Sequence, residues 1–218
     1  MRKAGIIVVA LLLVCAVNTH AIDAVGSVFG HQWTARTIGQ GHGDFGGGVG
    51  IADATSFYGS FTYGLSDYMD GRIRAGLYDP GEGADAELCF AIDIKYQLFD
   101  MMDAVSDHPF DLALDGRLEY LGGDFVSALE IGGGGTISYP FHMTNGQTIT
   151  PYGRLNLRIE RISFDWPAGF DGDDSESNLK FGLNAGVAWK LTPAMSLFGE
   201  FQLDGNDGGF FGISFNVM

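Results

Sequence analysis

The stretch from Asn178 to Asp204, NLKFGLNAGVAWKLTPAMSLFGEFQLD, alternates between two kinds of residue on either side of a short Thr-Pro-Ala-Met turn. From Leu179 to Leu191 every second residue is apolar, and the residues between them are polar or small. The alternation resumes at Leu197, after the turn. Because successive side chains of a strand point to opposite faces, the stretch predicts a β-hairpin with one apolar and one polar face. Strands of about ten residues with this division are typical of transmembrane β-barrels.

The composition favours a single all-β domain. The 218 residues include 34 Gly, and no long helical period interrupts the alternating stretches. The chain carries 12 Lys and Arg against 27 Asp and Glu, which gives a formal net charge of -15. A chain this acidic repels the phosphate backbone, so we expect no nucleic-acid partner.

Residues 1–21 predict a secretory signal peptide. Arg2 and Lys3 precede an apolar run over residues 5–17, and we place the cleavage after Ala21. Cys15 leaves a lipoprotein alternative open. The signal peptide predicts export through the inner membrane.

Residues 22–38 form a lead segment with little periodicity, and its role stays open at this point. Trp33 in this segment is expected at a membrane interface. Once the signal is removed, Cys89 is the only cysteine, which excludes a disulfide framework. A lone cysteine in a strand is usually a small apolar filler.

Residues 39–218 predict an antiparallel up-and-down transmembrane β-barrel of about ten strands, with eight or twelve strands as alternatives. The strands are expected where the alternation is found, at residues 39–51, 56–65, 70–79, 86–99, 109–121, 125–141, 149–164, 179–191, 197–204 and 209–218.

A soluble ligand-binding barrel divides its faces just as strictly, so alternation alone does not place the apolar face in lipid. Here the apolar faces are long and free of ions. The connections at 66–69 and 192–194 are short, as expected for periplasmic turns, whereas those at 79–85 and 165–177 are longer and acidic, as expected for external loops. Aromatic residues near the strand ends are expected in interface girdles, namely Tyr63, Tyr96, Tyr120, Tyr139, Tyr152 and Trp189.

The polar faces predict a lumen in which eight basic and eight acidic residues pair. The basic residues are Arg72, Arg74, Lys95, Arg117, Arg154, Arg158, Lys180 and Lys190, and the acidic ones are Asp93, Asp111, Asp115, Glu119, Glu130, Glu160, Glu200 and Asp204. Slipping the 109–121 strand by one residue would turn its charged residues toward lipid, where one basic residue at mid-depth costs roughly 2 to 4 kcal/mol.

With its signal peptide, the hairpins YGLSDYMDGRI and WKLTPAMSLFGEF and the closing strand FFGISFNVM, the chain resembles the small outer-membrane β-barrel proteins of Gram-negative bacteria. The resemblance covers residues 39–218. It implies an outer-membrane location, with lipid and the barrel-assembly machinery as partners. In that family the last strand usually ends in an aromatic residue on the lipid face, which the assembly machinery reads. This chain departs from the pattern, because Val217 ends that face and Met218 follows.

Two functions are expected. The first is a structural or surface-interaction barrel, with a lumen closed by paired charges and acidic loops that meet a ligand outside the cell. The alternative is a narrow, weakly selective pore for ions or small solutes, in which inward-facing glycines leave a water path past Arg154 and Arg158. Those glycines are Gly132, Gly134, Gly182 and Gly186.

An enzyme is not predicted, because the histidines do not form a triad with an outer serine; they are His31, His42, His108 and His142. No cofactor is expected. The carboxylates of Asp171, Asp173, Asp174 and Glu176 are a weak candidate for a divalent cation site. Their spacing is not that of a calcium loop, and a solvated acidic loop is the competing interpretation.

Overall fold

The protein was studied as a computed structural model, which describes residues 26–79, 81, 85–101, 108–123, 126–164 and 175–217. The predicted signal peptide therefore lies outside the described residues, as do residues 22–25 and the loop residues 165–174. The strands are β1 (Gly43–Ile51), β2 (Thr55–Ser66), β3 (Met69–Asp79), β4 (Glu87–Phe99), β5 (Asp111–Leu121), β6 (Val126–Ser138), β7 (Phe141–His142), β8 (Thr148–Phe164), β9 (Ser175–Thr192), β10 (Met195–Leu203) and β11 (Gly208–Asn216).

Ten long strands form one closed antiparallel sheet. Each strand pairs with its neighbour in sequence, β6 pairs with β8, and the first strand closes on the last through β1 and β11. The two-residue β7 only extends the start of β8. The predicted up-and-down barrel of ten strands is confirmed, and eight or twelve strands are wrong.

The apolar face of every long strand is on the outside. Phe181 is 78% exposed and Ile51 is 62% exposed, whereas the polar residues that alternate with such side chains are largely buried. In β5, for example, Asp111 and Glu119 face inward and are fully buried, while Leu114 between them is 52% exposed. A barrel with this division presents its apolar surface to lipid and its charges to the lumen.

Several strand boundaries differ from the sequence-based prediction by one to four residues, and two of these differences have a local cause. The predicted strand at 125–141 ends at Ser138, because Pro140 has no backbone N–H to donate to a ladder. The first strand begins at Gly43 rather than residue 39, because Gly39 and Gly41 adopt positive φ angles of 90° and 79° and form a turn.

The two ends of the barrel are here called the proximal and distal mouths. The proximal mouth holds the start of β1, the end of β11 and the connections at 67–68, 100–110, 139–147 and 193–194. The distal mouth holds those at 52–54 and 204–207, and the strand ends that flank residues 80–86, 122–125 and 165–174. The two turns expected in the periplasm are thus at one mouth and the two acidic loops at the other, although each mouth has both short and long connections. Among the described residues, no helix is long and apolar enough to cross a membrane.

Candidate functional site

The lead segment lies inside the barrel. Residues 26–38, here called the lumen plug, run from the distal mouth, where Gly26 contacts Asn206, to the proximal mouth, where Ile38 contacts Asp70. Most of the plug is buried, including Ser27, Val28, Phe29, His31, Gln32, Trp33 and Ala35. The expectation that Trp33 lies at a membrane interface is therefore wrong, since this side chain is 6% exposed inside the lumen.

Carboxylates of the barrel wall accept hydrogen bonds from backbone N–H groups of the plug. Glu160 accepts from the N–H of Gly26 at 3.0 Å, and Glu119 accepts from that of Val28 at 2.9 Å. The two oxygens of Glu200 accept from the consecutive N–H groups of residues 31 and 32, each at 2.6 Å. Near the proximal mouth, Asp70 accepts from residue 38 at 3.3 Å.

Basic side chains of the wall donate to backbone carbonyls of the plug. Arg74 and Arg117 both donate to the carbonyl of Gly30, at 2.8 and 2.9 Å. Lys95 donates to the carbonyl of Thr34 at 3.0 Å and to that of residue 36 at 2.6 Å. A buried backbone needs partners for its N–H and C=O groups, and here the wall charges supply them in place of a neighbouring strand.

Glu200 binds the plug without the help of a cation. Besides the two plug N–H groups, it accepts from the hydroxyl of Tyr152 at 2.6 Å and from the amide of Asn184 at 2.8 Å. In the described part of the chain no basic side chain lies within ion-pair distance of it, so four neutral donors hold a carboxylate that is 5% exposed. Tyr152 is thus a lumen residue, and its expected place in an interface girdle is wrong.

Asp93 joins three arginines in the middle of the lumen. It is 3.0 Å from the guanidinium of Arg72, 2.8 Å from that of Arg74 and 2.8 Å from that of Arg117. Two of these arginines also lie over aromatic rings of the plug, with Arg74 at 4.7 Å from the centre of the Phe29 ring and Arg72 over Trp33. Arg72 lies 4.2 Å from the centre of the Trp33 ring, and Lys95 lies 4.3 Å from it, so the indole is placed between two positive charges.

Arg158 has the opposite arrangement, with one base among three acids. Its guanidinium lies 3.1 Å from Asp204, 3.3 Å from Glu130 and 3.9 Å from Glu160. Three further buried pairs join Arg154 to Asp115 at 2.5 Å, Lys95 to Asp70 at 3.0 Å and Arg117 to Glu119 at 3.5 Å.

The lumen is more acidic than an even pairing of charges requires. All eight predicted acids face inward, and Asp70 joins them although the sequence-based set omits it. Asp70 alternates in step with Arg72 and Arg74 in its strand, and this spacing predicts that it faces inward. Of the eight predicted bases, Lys190 is exposed at the proximal mouth and Lys180 is half-exposed. Neither of these two lysines makes an ion pair within the described ranges.

The inward glycines do not open a water path. A Cβ at Gly132 would lie 2.7 Å from the Cβ of Arg158, and one at Gly134 would lie 2.9 Å from the Nε of Arg154. The same holds at Gly182, over Asn156, and at Gly186, over the Tyr152 ring. The space that the glycines leave is occupied by long polar side chains of β8.

An apolar layer seals the lumen near the distal mouth. There, Val28 and Phe29 of the plug are fully buried, and Phe29 meets the Tyr58 ring edge-on at 5.1 Å between centroids. Apolar or aromatic residues that face inward on β3 to β8 pack around them, beside the carboxylate of Glu119: Tyr78, Cys89, Ala91, Leu121, Ala128 and Ile162. With the plug in place, this cluster fills much of the lumen at the distal end.

The proximal end remains open. A cavity of about 500 Å³ lies between the plug and the wall, and its lining includes Trp33, Arg72, Asp44 and Lys190. Many lining side chains carry hydroxyls, among them Ser60, Thr62, Thr150, Ser196 and Ser214. The cavity is therefore a polar vestibule that ends against the plug.

The candidate cation site is not supported by the described residues. Asp171, Asp173 and Asp174 lie outside them, and Glu176 is an exposed residue of β9. Within the described ranges, no group of three or more His, Cys, Asp and Glu residues is arranged to hold a metal ion.

In comparisons with known proteins, no family model and no curated protein matches the chain. The N-terminal β-barrel domain of OprF from Pseudomonas aeruginosa is similar in structure, with 13% identity and a TM-score of 0.40 over 82% of this chain and 99% of that one. The KdgM porin is similar with 6% identity and a TM-score of 0.40, over 80% and 99% of the two chains. A structure from the de novo design of transmembrane β-barrels has 16% identity and a TM-score of 0.36, over 82% and 97%. At these identities the likeness concerns the architecture alone.

Proposed function

We propose that this chain is an integral outer-membrane β-barrel whose lumen is closed by its own lead segment, and that it acts as a structural or surface-interaction protein. The observation that carries the proposal is the lumen plug. Its backbone occupies the barrel from one mouth to the other, and its N–H and C=O groups are bound by buried wall charges. A lumen filled in this way leaves the outer surface and the loops as the parts that meet other molecules.

The exterior supports a membrane role for the barrel. Its exposed apolar residues fit lipid as the surrounding medium, and the barrel-assembly machinery is the expected partner during insertion. After export directed by the signal peptide, the acidic loops of the distal mouth would face outward and bind any extracellular ligand. The proposed role is not enzymatic, since the buried His31 contacts Thr136 at 3.0 Å inside a filled lumen.

A narrow pore is the second candidate, and the proximal cavity is the observation that favours it. This vestibule is polar and open to one side. For conduction it would have to continue past Trp33 and then through the apolar layer around Phe29. The closed barrel is preferred because both of these side chains are buried by the wall.

Conductance in a planar lipid bilayer separates the two candidates. Purified, folded protein is expected to give no steady current, because the plug fills the lumen and the apolar layer blocks its distal end. An open porin inserted under the same conditions is the positive control for the bilayer. Reproducible stepwise currents from the unmodified protein would reject the closed barrel and favour the pore.

A further inference from the structure

The plug is attached to the barrel differently from every long strand. Residues 26–38 contain no strand, and the backbone hydrogen bonds that hold them go to side chains of the wall. The link to β1, residues 39–42, contains the exposed Gln40 and Gly41, and a Cβ at Gly41 would have no neighbour within 4 Å. Water can replace a side-chain partner without breaking the sheet, so the plug can leave while the barrel stays closed on itself.

We infer that the plug is a displaceable ligand of the lumen and that the emptied barrel conducts cations in preference to anions. This inference rests on the closed barrel proposed above, because it describes what the same lumen does once the plug is out. The function it adds is conditional ion conduction.

The fixed charges of the wall give the cation preference. Nine acids and six bases line the part of the lumen that the structure describes. The acids are Asp70, Asp93, Asp111, Asp115, Glu119, Glu130, Glu160, Glu200 and Asp204, and the bases are Arg72, Arg74, Lys95, Arg117, Arg154 and Arg158. The mouths add Asp44, Lys180 and Lys190, which leaves the acids in excess. Rings of fixed negative charge raise the local concentration of cations and favour their passage.

The plug also covers one of these acids, so its departure exposes that carboxylate to water. Glu200 takes two of its four hydrogen bonds from plug N–H groups and has no cation partner in the described residues. Without the plug, this carboxylate faces the water path directly. The guanidinium groups of Arg72, Arg74 and Arg117, in contrast, stay on Asp93.

A polar route exists through the distal end once Val28 and Phe29 are removed. The apolar layer lies mainly on the side formed by β3 to β8, and Phe210 of β11 and Tyr58 of β2 also face the lumen. On the opposite side Gln202 and Asn206 donate to the carbonyl of Ser27, at 2.7 and 3.1 Å, and Ser56 donates to that of Val28. These groups would bind water in place of the plug, and the route would join the proximal vestibule.

The experiment removes the plug from a barrel that has already folded. A specific protease recognition sequence is inserted between Gln40 and Gly41, the full chain is folded, and the link is cut. The plug is then washed away in moderate urea, and its loss is followed by mass spectrometry. Bilayer currents are recorded in a tenfold potassium chloride gradient before and after cutting. Uncut protein with the same insertion, washed identically, is the matched control.

We expect no current before cutting and stepwise currents afterwards. The reversal potential should shift toward the potassium limit, which is about 59 mV for a tenfold gradient of a singly charged ion. Glu200→Gln in the cut barrel should reduce that shift, whereas Asp79→Asn, at an exposed position of outward parity in β3, should leave it unchanged.

The outcomes separate the two proposals. Currents from the uncut protein would reject the closed barrel itself. A folded, emptied barrel that is silent or prefers chloride would overturn the inference and leave the closed barrel standing. A cut plug that stays bound through the wash would also overturn it, because the plug would then not be displaceable.

Discussion

At the scale of single residues, Glu200 illustrates how a buried carboxylate specifies the position of a peptide. All four of its hydrogen-bond partners are donors, and a carboxylate is a pure acceptor when ionised. Any uncharged isostere with an amide N–H₂ must turn a donor toward one of them. The geometry therefore selects a carboxylate at this position, although no basic side chain of the described residues lies within ion-pair distance of it.

Glu200→Gln is expected to weaken docking of the plug by about 1 to 3 kcal/mol, because one buried donor loses its acceptor. The reporter is Trp33, which becomes the only tryptophan after Trp166→Phe and Trp189→Phe. Its fluorescence should become accessible to a soluble quencher at lower urea concentration than in the parent. Glu176→Gln in the same background is the control, and equal midpoints for the two variants would contradict the assignment of Glu200 to the plug.

At the scale of strands, β6 and β8 are fitted to each other by the contrast between glycine and arginine. Inward glycines of β6 lie beside the long inward side chains of β8, so two arginines fit where side chains on both strands would collide. Of the outward glycines, Gly135 would meet only a Leu114 methyl, whereas a Cβ at Gly133 would lie 2.9 Å from the carbonyl oxygen of Asp115. The two faces of β6 thus provide a test of what its glycines do.

Gly132→Ala is expected to destabilise the barrel by about 1 to 3 kcal/mol, because the added Cβ would lie 2.7 Å from the Cβ of Arg158 and 2.9 Å from the carbonyl of Leu157. Gly135→Ala, on the outward face, would meet only a Leu114 methyl at 3.9 Å, so this control should be neutral or stabilising by about 0.4 to 1 kcal/mol. Urea unfolding in lipid vesicles measures both. If Gly135→Ala destabilised the barrel as much as Gly132→Ala, the cost of Gly132→Ala could not be assigned to its fit against Arg158.

The strands were predictable from the sequence, whereas the plug was not, and the reason is the range of the interactions. A period of two is a local signal, and it placed the ten strands and the inward charges of β3 to β8. The plug has no period, and its partners are distant in sequence: Gly26 and Glu160 are 134 positions apart, and His31 and Glu200 are 169 apart. One sequence feature does point to the plug. When Asp70 is counted, the inward acids outnumber the inward bases, which indicates that some carboxylates need another partner.

At the scale of the whole molecule, the closed sheet and the direction of the plug fix which groups share a mouth. Both the start of β1 and the end of β11 are at the proximal mouth, together with the tight turn at Pro193 and Ala194. The strand ends that flank the acidic connections at 80–86 and 165–174 are at the other. If short turns face the periplasm, the whole barrel has one orientation, with the plug entering the lumen from the periplasmic side.

Labelling of single cysteines on intact cells tests this orientation. Ser175→Cys, at the exposed start of β9 beside the distal mouth, is expected to react with a maleimide that does not cross the outer membrane. Ala194→Cys, in the exposed turn at the proximal mouth, should react only after the membrane is permeabilised. The native Cys89 is free but fully buried, so the unmodified chain is a control that should stay unlabelled in both conditions. Labelling at residue 194 in intact cells, with none at residue 175, would show the opposite orientation. The vestibule of the proximal mouth would then face the outside of the cell.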